Sequence, residues 1–295
     1  MTTISNLPIE IVYELCVPLT YSEMPKFLHV NKKFSTFFSS PHFQKLYQSK
    51  LKKKALRCFR KFKDKDMCLL HAALKPNIQV LKFLLQDRGF IPSWILIDVS
   101  RSGNTHSLEV LLNSFPGSTS FPIEILWTAC EYGHPEIISF LIKDPRFDPS
   151  QDCCQALILA CIHENVDCVK VLLKDKRVDP AIRNNFCFRH ACRENNLDLI
   201  DLLLLEPTVN PAAHDNDAFI EACAAGNVSL VSKLLRLKCI SPEAQDNQAL
   251  SISSLRWHVQ IVKLLWNDER VKRQHIFCYN PTHRRRITDI LQNES

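Results

Sequence analysis

Four cysteines, Cys130, Cys161, Cys192 and Cys223, recur at an interval of 31 residues. A ladder of thiols could hold a metal or exchange electrons. Stacking geometry argues against both. Equivalent residues in neighbouring helical units lie about 10 Å apart, whereas a disulfide needs Cα atoms within about 7 Å. Four thiolates in such a row cannot surround one zinc ion. The ladder reads as small buried side chains, with Ser254 taking the same place in the last unit.

His275, Cys278 and His283 have a spacing that could suit zinc, but no fourth ligand accompanies them and they read as a polar C-terminal cap. Residues 45–65 contain ten Lys and Arg against one acid, Asp64, with Leu46, Leu51, Leu56, Phe59 and Phe62 mostly at helical spacing. That run suits a nuclear-import signal or a nucleic-acid contact. It suits a solvated linker helix better, because charge runs usually are solvated faces.

Catalysis finds no constellation. Of the five glycines, Gly103, Gly133 and Gly226 fall in repeat turns, while Gly89 and Gly117 follow helices. None remains for a phosphate-cradling loop. Histidines and carboxylates sit at repeat positions without a catalytic spacing. The expectation is a protein that does no chemistry, with no catalytic residue, no metal and no cofactor.

The elements that position these residues follow one period. Five pentapeptides, at 126–130, 157–161, 188–192, 219–223 and 250–254, each start 31 residues after the last. A fixed period in this range is the signature of a repeat solenoid. In a second register, Ile138, Val169, Ile200, Val231 and Val262 each open an i, i+3, i+4 apolar pattern, one face of a helix. In a third, Asp148-Pro149, Asp179-Pro180, Asn210-Pro211 and Ser241-Pro242 separate the units, because a residue before Pro is pushed out of the helical region. Tight turns at Gly133-His134, Glu164-Asn165, Asn195-Asn196 and Gly226-Asn227 carry residue types that mostly accept a left-handed backbone. Each unit is therefore short helix, tight turn, second helix, longer turn. Two less regular units precede the five, at 69–85 and 96–112, which makes about seven units over 67–278.

Composition fits a globular chain of 295 residues, 46% hydrophobic and 23% charged. No stretch is long enough to span a bilayer, and no secretory signal opens the chain. Thirteen cysteines without a CxxC pair read as reduced thiols. Those features point to the cytoplasm, with nuclear entry left open by the basic run. Residues 1–66 hold 13 Lys and Arg against 5 Asp and Glu, so the chain's net charge of +6 belongs to the N-terminal segment.

The segment from Ala129 to Ile142, with its Ala-Cys-Glu-Tyr-Gly-His-Pro-Glu core, resembles the helix–turn–helix of an ankyrin repeat. Departures are the missing Thr-Pro-Leu-His opening, a period shorter than usual, and Trp257-His258 in place of the Gly-His turn. The resemblance implies a protein-binding solenoid with short β-turn fingers. It also implies that the residues after each Ala-small pair face the concave side. Among these, Tyr132, His163, Arg193, Glu194 and Arg256 are the expected contacts to a target protein, since aromatic and Arg side chains dominate interface energetics.

Residues 7–46 do not follow the period. Leu7-Pro8-x-Glu10-Ile11, then Leu28-x-Val30-x-x-x-Phe34, then Pro41-x-Phe43 resemble the three blocks of an F-box, with Asn31 and Phe34 where Cys and Trp are common. Members of that family dock on the Skp-type linker subunit of cullin–RING ubiquitin ligases. By this resemblance Leu7, Pro8, Ile11, Leu28, Val30 and Phe34 form or support the docking surface. So small a unit has little core of its own, and its apolar residues would be covered by a partner. The alternative is a helical cap on the solenoid.

The expected architecture is all-α: an F-box-like domain at 1–44, a basic helical linker at 45–66, an ankyrin-like solenoid at 67–278 and a basic tail at 279–295. The expected role is an adaptor that recruits a target to a Skp/cullin-type ligase, without membrane or nucleic-acid partners. The alternative role is an ankyrin-repeat scaffold or inhibitor with no ligase link.

Overall fold

The computed structural model describes residues 49–50, 53, 65–75, 78–86, 88–115, 121–272 and 281–292. The F-box-like blocks, nearly all of the basic run, and His275 and Cys278 lie outside these residues. Two compact units divide the chain, Met1–Ser120 and Phe121–Ser295. Among the described residues all regular structure is helical and no strand occurs.

In the first unit, α1 (Lys65–Leu74) and α2 (Ile78–Leu85) form one helix pair, and α3 (Ser93–Arg101) and α4 (Thr105–Asn113) form the next. Helix α1 packs on α3, and α2 on α4. The apolar residues expected at 69–73, 81, 85, 96, 108, 111 and 112 are buried, and Leu84, expected beside Leu85, is half-buried.

The second unit repeats the pair five times. First helices are α5 (Glu124–Glu131), α7 (Gln151–Ile162), α9 (Ile182–Glu194), α11 (Ala213–Ala225) and α13 (Ala244–Leu255). Second helices are α6 (Pro135–Leu141), α8 (Val166–Leu172), α10 (Leu197–Leu204), α12 (Val228–Leu235) and α14 (Val259–Trp266). Each first helix packs on its own second helix and on the next first helix, so the first helices form one layer. Short helix α15 (Glu269–Lys272) follows, and α16 (Pro281–Gln292) packs on α13 and α14 through buried Ile287 and Ile290.

The core is built from equivalent residues. Ile138, Val169, Ile200, Val231 and Val262 are fully buried, as are Leu126, Leu157, Phe188, Phe219 and Leu250. A further register with the same period adds Phe147, Val178, Val209, Ile240 and Val271, all buried. No pair of helices covers its own apolar face, so stacking of neighbours supplies the burial.

The long turns hold a feature the helical pattern does not disclose. Residues 152–154, 183–185, 214–216 and 245–247 all have positive φ, between 50° and 66°. Each triplet is a single left-handed turn inside the bounds of α7, α9, α11 or α13, ahead of that helix's right-handed part. For L-residues this conformation costs about 1–2 kcal/mol per residue, and Asn and Asp tolerate it best. Seven of the twelve residues are Asn or Asp.

The last residue of three of the four triplets contributes a compensating bond. Asn185 Oδ1 accepts from Asn210 N–H at 3.0 Å, and Asn216 Oδ1 from Ser241 N–H at 2.9 Å. Cys154 accepts from Asp179 N–H in the same way. Each donor precedes the Pro of the next unit, so the bond fixes one unit's turn to its neighbour. Asn247 is the fourth in the series and is fully buried, yet its side-chain oxygen and nitrogen have no partner. The residue 25 places on is Lys272, which closes α15 where the other units have a turn before Pro.

Candidate functional site

The tight turns fix the ends of the first helices. Gly133 and Gly226 have φ of +76° and +83°, and Glu164, Asn195 and Trp257 take the same left-handed place without being glycine. The neighbouring unit presses on this turn. A Cβ at Gly226 would lie 2.5 Å from the His258 ring, and one at Gly133 would lie 2.8 Å from Asn165 Oδ1. Asn165 Nδ2 donates to the carbonyls of Cys130 and Glu131 at 2.8 and 2.9 Å, and His258 Nε2 lies 3.1 Å from the Ala224 carbonyl. Asn104 does the same in the first unit, donating to the Ala73 carbonyl at 2.9 Å. Carbonyls left open at a helix C-terminus are thus closed by the next unit's N-cap residue.

The five sequence-selected residues of the second unit stand at these ends. Tyr132, His163, Glu194 and Arg256 occupy one register and Arg193 the register before it, and all five are exposed. Arg193 Nε donates to Glu194 Oε1 at 3.0 Å, and Arg256 Nη1 donates to the Ala224 carbonyl at 2.8 Å. Both guanidiniums are therefore held in place. Most exposed large apolar residues of this unit fall on the same rim: Tyr132 (48%), Ile162 (41%), Leu197 (41%), Leu255 (39%) and Trp257 (54%).

The surface extends further along the first helices than the sequence reading took it. Residues at i, i+4 and i+7 point away from the buried side, as with Gln155, Leu159 and Ile162 on α7 and Phe186, His190 and Arg193 on α9. Phe186 and His190 rings contact at 5.8 Å. Burial, and then Arg193, hold the His190 imidazole below its ordinary pKa. Asp217 on α11 binds Gln245 Nε2 at 3.0 Å and lies 3.5 Å from Arg189. The helical period could have exposed these positions had the i, i+4, i+7 face been read outward as well as inward.

On the opposite layer, α8 and α10 bound a concavity of about 770 Å³ lined by Asp167, Lys170, Asp198, Asp201, Leu202 and Leu205 among others. Lys170 pairs with Asp167 at 3.0 Å, and Lys233 pairs with Asp201.

The cysteine ladder is part of the frame. Cys130, Cys161, Cys192 and Cys223 are fully buried, and Ser254 is too. Burial pushes the Cys130, Cys192 and Cys223 thiols well above their ordinary range. For Cys161 a hydrogen bond with Cys187 is the first cause and burial the second. That pairing joins two different registers, which a comparison of equivalent cysteines does not reveal. Neutral buried thiols are poor nucleophiles and poor metal ligands. Among the described residues no group of three or more His, Cys, Asp and Glu is placed to hold a metal ion, and no helix is long and apolar enough to cross a membrane.

Residues 95–184 match the family model for ankyrin repeats, in three copies. No curated protein matches the chain. The chain thus carries ankyrin repeats, and these suggest a protein–protein interaction role.

Proposed function

We propose that this protein is an adaptor that holds a target protein on the solvent side of its first helices and docks a ubiquitin-ligase linker through its N-terminal segment. The observation that carries the first half is the contrast between frame and face. Side chains at the helix ends change from unit to unit, through Tyr132, His163, Glu194, Ala225 and Arg256, while the core registers beneath them repeat. Such a surface is what recognition of one specific partner requires, since affinity concentrates in a few aromatic and Arg positions. The second half rests on the F-box resemblance of Leu7, Pro8, Ile11, Leu28, Val30 and Phe34. Two binding surfaces on one chain raise the effective concentration of target near the ligase. A cytoplasmic setting, with nuclear entry open, accompanies this reading.

Co-purification with a Skp-type linker tests it. Wild type retains the linker, and a Leu7→Ala, Pro8→Ala double variant loses it while remaining folded by circular dichroism. A second reading, a scaffold or inhibitor with no ligase link, is favoured by the position of the family match at 95–184, away from that segment. It replaces the first if wild type never retains the linker.

A further inference from the structure

We infer that the target segment is cationic at both ends and apolar at its centre, and that it lies extended across the first helices from α5 to α11. This rests on the reading of that face as the target surface and supplies the chemistry of its occupant.

The face has a charge pattern. Past the left-handed triplets, the right-handed parts of the first helices and the tight turns of the second unit present Glu124, Glu131, Glu164, Glu194, Asp217 and Glu221 to solvent, against three arginines and no lysine. The arginines are already engaged. Arg193 is paired with Glu194, Arg189 lies against Asp217, and Arg256 donates to the Ala224 carbonyl. Glu124, Glu131 and Glu221 have no ion pair among the described residues and are not neutralised from within. These free carboxylates stand on α5 and α11, on either side of α7 and α9.

Between them the surface turns apolar. Leu159 and Ile162 on α7 and Phe186 on α9 remain half-buried or exposed on the same face. From α5 to α11 the order is acid, apolar, apolar beside His190 and the paired Arg193, then acid. Three helix spacings of about 10 Å separate α5 from α11, or about 30 Å. An extended chain advances about 3.3 Å per residue, so about nine residues span the row. Lysine or arginine near both ends would meet the unpaired carboxylates, and aliphatic or aromatic residues between them would cover Leu159, Ile162 and Phe186. The same carboxylates repel a phosphate backbone, which disfavours nucleic acid here.

A random dodecapeptide display library selected on the full-length chain tests the inference. The expected consensus has basic residues about nine apart flanking an aliphatic or aromatic centre. A synthetic consensus peptide should protect α7 and α9 from hydrogen exchange. It should bind at least tenfold more weakly to a Glu131→Lys, Glu221→Lys variant and to an Ile162→Asp variant, each confirmed folded. Acidic peptides, or peptides without an apolar centre, that protect these helices would overturn the partner chemistry and leave the face standing. Binding unchanged by the charge reversals does the same. Peptides that protect other helices, or no enrichment at all, overturn the assignment of the face itself.

Discussion

The buried and solvent sides of the first helices grow from the same pentapeptides and follow opposite rules. On the buried side Leu126, Leu157, Phe188, Phe219 and Leu250 share one place, as do Cys130, Cys161, Cys192, Cys223 and Ser254. On the solvent side Glu131, Ile162, Arg193, Ala224 and Leu255 share a place and almost nothing else. The difference teaches where selection by packing stops. A buried side chain must fill the volume its neighbours leave, and stacking makes that volume nearly the same in every unit. A solvent-facing side chain meets no such demand, so its identity is free to serve a partner.

Substitutions on the two sides should separate sharply. Phe219→Ala removes a fully buried ring and should cost about 3–5 kcal/mol by chemical denaturation. A loss under 1 kcal/mol would mean that the stack relaxes around the cavity and that the frame is softer than its repetition suggests.

The left-handed triplets allow a finer contrast within the frame. Asn216→Ala strands the Ser241 N–H that it now binds and should destabilise by about 1–3 kcal/mol. Asn247→Ala removes an amide that has no partner and should cost clearly less. Equal losses at the two positions would show that backbone conformation, and not the bond to the next unit, is what these residues contribute.

Acid should loosen the long turns. Side-chain hydrogen bonds from Arg146, Arg177 and Arg270 hold Asp144, Asp175 and Asp268 below the usual carboxylate range. Groups with a depressed folded pKa give their full contribution above the unfolded value of about 3.9 and lose it as pH falls through the folded value. Helicity followed by circular dichroism should therefore hold above about pH 4 and decline below it. Because Arg177 also donates to the Ile142 carbonyl and Arg270 to the Ile240 carbonyl, an Arg270→Ala variant should begin to unfold at higher pH than wild type.

Face substitutions should change stability least. Tyr132→Ala and Glu194→Ala are expected to move unfolding by no more than about 0.5 kcal/mol while weakening capture of the selected peptides. A large stability loss at Tyr132 would return that residue to the frame.

Much of the frame was legible in the sequence. The period, the i, i+3, i+4 pattern and the turn residues before Pro all act over a few neighbours, and local sterics and helix periodicity suffice to read them. The thiol ladder was legible for the same reason, since equal spacing along a stack excludes convergence on one ion. Tyr132, His163, Arg193, Glu194 and Arg256 were picked out by the ankyrin resemblance, and all five are exposed.

What the tertiary structure decided depends on contacts between units. The left-handed triplets hide inside a polar stretch whose composition is that of any turn. They are disclosed by the bonds from Asn185 and Asn216 to backbone 25 residues away. The Cys161–Cys187 contact joins residues of unlike register, so no comparison of equivalents finds it. The unpaired carboxylates at Glu131 and Glu221, with the apolar Leu159, Ile162 and Phe186 between them, form one surface because the first helices lie side by side. Sequence sets the period of a repeat, because periodicity is a property of the chain. The neighbours across a stack set what its face presents, because only packing brings residues 31 apart to within reach of one partner.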